Sequence, residues 1–163
     1  MNTEKLFNMQ RELDRHIETQ HDLEDEDLFD RKALALLVEI GELANETRCF
    51  KFWSLKPSSD IDVILEEFVD GIHFILSLGI ECGFEDITAI SSTPSNGKDA
   101  SRQFLEVYGL INTFRLSRRR EDYVQLFDAY MKLAELLGLS EEQIEQAYIQ
   151  KNEVNYDRQR KGY

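Results

Sequence analysis

Helical periodicity constrains this chain more than any other feature. Only two prolines occur in 163 residues, Pro57 and Pro94, so long stretches carry no residue that would break a helix. Within those stretches apolar residues recur every three to four positions. Leu6, Met9, Leu13 and Ile17 mark a helix over about Thr3 to His21, and Leu36, Leu37, Ile40, Leu43 and Ala44 mark a second over about Asp27 to Arg48. A third starts near Asp60, a good N-cap, carries Ile61, Ile64, Leu65, Phe68, Ile72 and Ile75, and fades at Cys82-Gly83. Two more are expected over Ser101 to Leu116 and Arg120 to Leu137. The capping box Ser140-Glu141-Glu142-Gln143 opens a last helix that reaches nearly to Tyr163. Cys49 to Ser59 reads as irregular, and Ser91 to Lys98 as an exposed, mobile loop. No alternating segment demands a sheet, and no linker divides the chain. The expectation is an all-α fold, a compact bundle of five to six helices in one domain spanning 1–163.

Charge narrows the partners. With 19 Lys and Arg against 32 Asp and Glu, the formal net charge is −13. Such a chain is a poor non-specific binder of nucleic acid, which requires clustered cations. No apolar run approaches the ~20 residues of a membrane span, and no signal pattern is seen at the N-terminus. Two cysteines without C-x-x-C spacing, Cys49 and Cys82, read as reduced thiols of a cytoplasmic protein. If the substrate of so acidic a protein carries phosphates, cations must bridge the repulsion.

Two helices place carboxylates where a core does not explain them. Glu39, Glu42 and Glu46 follow an i, i+3, i+7 pattern and share a face within an otherwise apolar run; Glu66, Glu67 and Asp70 crowd one turn of the next helix. Like charges at this spacing destabilise a helix unless something compensates them. A hard cation such as Mg²⁺ does so, because it prefers carboxylate oxygen and retains sites for phosphate oxygens. Solvated faces of amphipathic helices are the competing explanation. On the last helix Lys151, Asn155 and Arg158 form a stripe of cationic and amide donors suited to phosphate, or else an ordinary exposed surface near a helix C-terminus. At the tip of a helix that stripe is expected to be loosely ordered without nucleotide.

These residues carry a family resemblance. Glu39-x-x-Glu42 followed, after 24 intervening residues, by Glu67-x-x-Asp70 resembles the signature of the all-α nucleoside triphosphate pyrophosphatases, the MazG-like superfamily. Lys151-Asn152-x-x-Asn155-x-x-Arg158-Gln159, Phe52-Trp53-Ser54 and Met9-Gln10-x-x-Leu13-Asp14 resemble the dimeric dUTPases within it. The resemblance implies a homodimer that hydrolyses dUTP, and dUDP as well, to dUMP, with pyrophosphate released from dUTP. It implies two or more Mg²⁺ ions, for which Mn²⁺ could substitute, held by Glu39, Glu42, Glu67 and Asp70. Glu42 would be the general base, with Glu39 beside it. Lys151, Asn155 and Arg158 would bind phosphate, Gln10 would pair with uracil, Trp53 would wall the nucleoside pocket, and His73 and Phe74 would meet deoxyribose and base.

Other readings stay open on the residues alone. A MazG-like or dCTP-preferring pyrophosphohydrolase would share the metal site. A di-iron bundle would need a second E-x-x-H helix, which His16 and His21 do not supply. A helical adaptor with solvated acidic faces would need no metal.

Overall fold

A computed structural model describes residues 1–87 and 99–162. Among the described residues six helices follow one another: α1 Thr3–Gln20, α2 Phe29–Thr47, α3 Ile61–Glu81, α4 Ala100–Ser117, α5 Arg120–Leu136 and α6 Glu141–Arg160. No strand occurs among the described residues, and the fold is all-α. Each helix lies within two residues of its expected limits, except that α6 stops at Arg160. The Ser91 to Lys98 loop lies outside the described residues.

Local chemistry accounts for several of these ends. The capping box forms as expected: Ser140 Oγ accepts from the Gln143 backbone N–H at 3.2 Å, and Gln143 Oε1 accepts from the Ser140 N–H at 2.9 Å. Asp60 stands at the N-cap of α3, although its side chain makes no capping bond. The α4–α5 corner is closed by Asp122, which accepts from Ser117 Oγ at 2.5 Å and from Arg119 at 3.1 Å.

The central element is α3. It packs against α1, α2, α5 and α6, while α4 packs on α2 and α5. Its apolar residues therefore face neighbours on several sides: Phe68, Val69, Ile72, Ile75, Leu76 and Leu78 are all buried. The α2–α3 pair is antiparallel, because Lys32 meets Glu81, Glu39 meets Glu67 and Asp70, and Glu46 meets Ser59. This register brings the two acidic faces opposite each other.

Two glycines set how closely α5 approaches α3. Tyr130 Oη lies where a Cβ on Gly71 would stand, and Tyr123 Oη lies where one on Gly79 would stand. The vacated space lets each hydroxyl donate to a helix carbonyl, Tyr130 to Phe68 O at 2.8 Å and Tyr123 to Ile75 O at 3.0 Å. Tyr130 also stacks on Phe68, with centroids 4.3 Å apart. Because Gly71 follows Asp70 directly, this contact also fixes where that carboxylate stands. Gly71→Ala should destabilise the protein by ~1–3 kcal/mol, as expected when a well-packed core is overfilled. Chemical denaturation of the variant beside wild type measures it, and an unchanged midpoint would show that Tyr130 moves aside freely.

Candidate active site

One carboxylate oxygen each from Glu39 on α2 and from Glu67 and Asp70 on α3 lie within 4.8 Å of one another, and all three residues are half-buried. Burial and mutual repulsion oppose ionisation here. The Glu39 carboxyl is pushed up to about 7 by desolvation first, then by Asp70, Glu42 and Glu67. Glu67 and Asp70 are also raised, burial being the main cause for both. The donor set, all oxygen and short of positive charge, fits a hard divalent cation. Glu42 is close enough to act electrostatically on Glu39 and Glu67 but does not belong to the three-oxygen group. Glu46, on the same face, is engaged elsewhere: it accepts from Ser59 Oγ and so anchors the approach to α3.

Lys151 reaches this cluster from α6. Its Nζ lies 2.7 Å from Asp70 Oδ2 and 2.8 Å from Glu66 Oε1. The ammonium holds the Glu66 carboxyl below its usual range, and on Asp70 it opposes the larger effect of burial. Farther along α6, Gln159 accepts from Gln20 Nε2 through its carbonyl at 2.7 Å, and its side-chain oxygen lies 2.9 Å from His21 Nε2. Lys151 of the donor stripe and Gln159 beside it are thus engaged by α3 and by the end of α1. The reason is tertiary: α6 packs along α1 and α3 rather than standing free.

Beside the cluster lies a cleft of about 360 Å³. Glu39, Asp70, Asn155, Arg158, Gln10, His73 and Phe74 all line it, so most of the site residues read from sequence meet in one place. Gln10 and His73 are almost fully buried. His73 stacks on Tyr148, with centroids 4.2 Å apart, and its Nδ1 lies 2.7 Å from Gln10 Oε1. Burial drives the His73 pKa down to about 3, so the ring is neutral near pH 7.

Trp53 is not brought to this cleft. It is 65% exposed and packs edge-to-face on Phe52 and Phe50, at 5.0 and 5.9 Å between centroids. Hydrogen bonds from Arg48 to Ser54 Oγ and to the Lys56 carbonyl tie this segment to the C-cap of α2.

Several residues of the site had not been singled out. Asp14 and Ser77 line the cleft and hydrogen-bond to each other, Lys32 joins Asp14, Glu18 and Glu81, and Tyr148 donates to Gln10. Asp14 did have a signal, its place four residues after Gln10 in the Met9-to-Asp14 motif. The others had none, since their partners are distant in sequence. Glu66 was legible only as one of three crowded carboxylates.

Comparison with known proteins agrees with this geometry. The family model described as dUTPase matches residues 2–163. The chain belongs to the dimeric, all-α dUTPase family. Comparison with curated proteins gives no match. Membership makes the chain a dUTP-hydrolysing enzyme, and the MazG-like superfamily placement is compatible with it. The family also points to a divalent metal, and the Glu39, Glu67 and Asp70 cluster could bind one. No helix among the described residues is long and apolar enough to cross a membrane.

The raised Glu39 carboxyl generates a pH prediction for this dUTPase without metal. An unfolded glutamate releases its proton near 4.5, whereas Glu39 in the folded chain keeps it to about 7. Between those values the folded state binds more protons, so Glu39 makes stability fall as pH rises, and its penalty is complete above 7. His73 acts with the opposite sign, its contribution growing from about pH 3 to 6.5. Subtraction against Glu39→Gln isolates the first effect. In EDTA, the stability of that variant relative to wild type should rise between pH 4.5 and 7 and then level off. Thermal unfolding across pH measures it, and a flat difference would show that Glu39 ionises normally.

Proposed function

We propose that this dUTPase uses Mg²⁺ to hydrolyse dUTP to dUMP and pyrophosphate, accepts dUDP, and works as a cytoplasmic homodimer with the whole chain as one catalytic domain. The observation that carries the proposal is the convergence of three carboxylates from two helices beside a cleft that also holds Gln10 and His73. Glu39, Glu67 and Asp70 would hold the metal, with Glu42 completing the set. Mg²⁺, or Mn²⁺ in its place, neutralises phosphate charge and acidifies a water when bound. Two or more ions accord with four carboxylates facing a triphosphate.

The chain's own groups do the rest. Glu42 accepts the proton of the attacking water, the role left to the signature carboxylate outside the tight three-oxygen group, and Glu39 supports it electrostatically. Water adds to phosphorus as the bond to the pyrophosphate oxygen breaks, and that oxygen carries the charge away. Lys151, Asn155 and Arg158 donate hydrogen bonds to phosphate oxygens as charge shifts toward the leaving group. Gln10 meets the uracil edge, His73 the deoxyribose and Phe74 the base. Dimerisation is supported by Leu34 and Val38 on α2 and Leu105 on α4, exposed apolar residues on two helices that pack together.

The test is pyrophosphate release from each deoxynucleoside triphosphate with Mg²⁺ and with EDTA. Activity should require the metal, and dUTP should be preferred to dCTP and dTTP; equal specificity constants would favour a broader pyrophosphohydrolase. Glu42→Gln should fold yet lose ~10²-fold or more in kcat, the usual cost of removing a general base. Retention of a third of the wild-type rate would assign the base elsewhere. Arg158→Ala should lower kcat/KM by ~10- to 10³-fold, in line with loss of a charged donor to the developing phosphate charge. Light scattering on the eluting protein separates a dimer from a monomer.

A further inference from the structure

We propose that Asp14 is a positioning residue for base selection: it holds the Gln10 amide in the one orientation that favours uracil over cytosine. The inference rests on the reading of the cleft as a dUTP site. Asp14 Oδ1 accepts from Gln10 Nε2 at 2.7 Å, and its Oδ2 accepts from Ser77 Oγ at 2.6 Å, with the Lys32 ammonium 3.8 Å away. The carboxylate is thereby fixed by α3 and α2, not only by its own helix. At the other end of the amide, Gln10 Oε1 accepts from Tyr148 Oη at 2.8 Å and lies 2.7 Å from His73 Nδ1, which donates to it.

A primary amide offers two N–H donors and two lone pairs on oxygen. Here both lone pairs and one N–H are taken by the protein. Among the described residues the second N–H has no partner, and Gln10 lines the cleft. Gln10 therefore presents a donor. Set against the 4-position of the base, this donor is accepted by the uracil carbonyl, whereas cytosine carries an amino donor there, and donor would face donor.

Tyr148 and His73 cannot enforce this choice alone. A hydroxyl can donate or accept, and a neutral imidazole can place its proton on either nitrogen. An inverted amide could donate to both and would then offer an acceptor, which suits cytosine. Asp14 is different, because its carboxylate can only accept; inversion would set the amide oxygen against a carboxylate oxygen at hydrogen-bond distance. The discrimination thus originates one residue behind the group that touches the base.

The experiment is the ratio of kcat/KM for dUTP to that for dCTP in wild type, Asp14→Ala, Asp14→Asn and Ser77→Ala. A folding defect scales both substrates by the same active fraction and leaves the ratio unmoved. Asp14→Ala should lower the ratio at least ~10-fold, since sites that discriminate by hydrogen bonding lose selectivity when the donor pattern is released. Asp14→Asn retains an acceptor for Gln10 and a donor for Ser77, so it should keep most of the ratio, and Ser77→Ala should fall between. A wild-type enzyme without dUTP preference would overturn the substrate reading itself. A wild-type preference that survives in Asp14→Ala, or that falls equally in both Asp14 variants, would overturn this inference alone.

Discussion

The acidic cluster must be held together against its own repulsion, and the positioning of α6 follows from how that is done. Two like charges 4.8 Å apart repel by about 1 kcal/mol in water and about 3.5 kcal/mol at an effective dielectric constant of 20. Three half-buried carboxylates cannot all ionise at that separation without substantial cost, and Glu39 responds by keeping its proton to about 7. Lys151 relieves part of the strain from the side of Asp70 and Glu66. It is a single charge placed at the edge, so it does not relieve Glu39 fully. A divalent ion among the carboxylates would supply what the ammonium cannot; the family points to such a metal, and the cluster could bind one.

This arrangement explains why the bundle is built around α3. Its acidic face meets α2, its His73 and Ser77 meet α1, its Asp70 meets α6, and its two glycines receive tyrosines of α5. Each neighbour is fixed by a polar contact as well as by apolar burial. Apolar burial is non-directional, whereas hydrogen bonds have defined partners and lengths, so they help set the register in which carboxylates of α2 and α3 face one another.

The parts of this site that were legible in the sequence are those with a local period. Glu39, Glu42, Glu67 and Asp70 repeat at helical spacing inside apolar runs, so their faces were readable, as was the donor stripe on α6. Helix limits were readable for the same reason. The Gln10–Asp14–Ser77–Tyr148 connection was not, because Ser77 and Tyr148 bond to α1 across 63 and 138 positions of sequence. Asn152 illustrates the same limit at closer range. It neighbours Lys151 on a stripe that looks solvated on paper, yet one residue is 100° of helix rotation, and it faces the interior. Trp53 shows the limit for an irregular segment: no period in the sequence tells that Arg48 ties the turn that carries it to the end of α2.

The two halves of the cleft obey different physics. Where phosphate and metal would sit, charge is abundant and partly hydrated, and a misplaced group is forgiven by water. Around Gln10 and His73 there is almost no water contact, so every donor and acceptor must be accounted for. Among the described residues, His73 Nε2 is buried without a hydrogen-bond partner, and its Nδ1–H is committed to Gln10. Since the ring stays neutral down to about pH 3, Nε2 is an acceptor near neutral pH rather than a charged donor. An unfilled buried group of this kind costs about 1–3 kcal/mol. Among the described residues the cleft thus offers an acceptor on His73 and an N–H on Gln10, a pattern that a nucleoside with a sugar hydroxyl and a base carbonyl would complete. A ligand lacking either group would leave the acceptor or the donor unpaired, and hydrogen-bonding sites discriminate strongly on that ground.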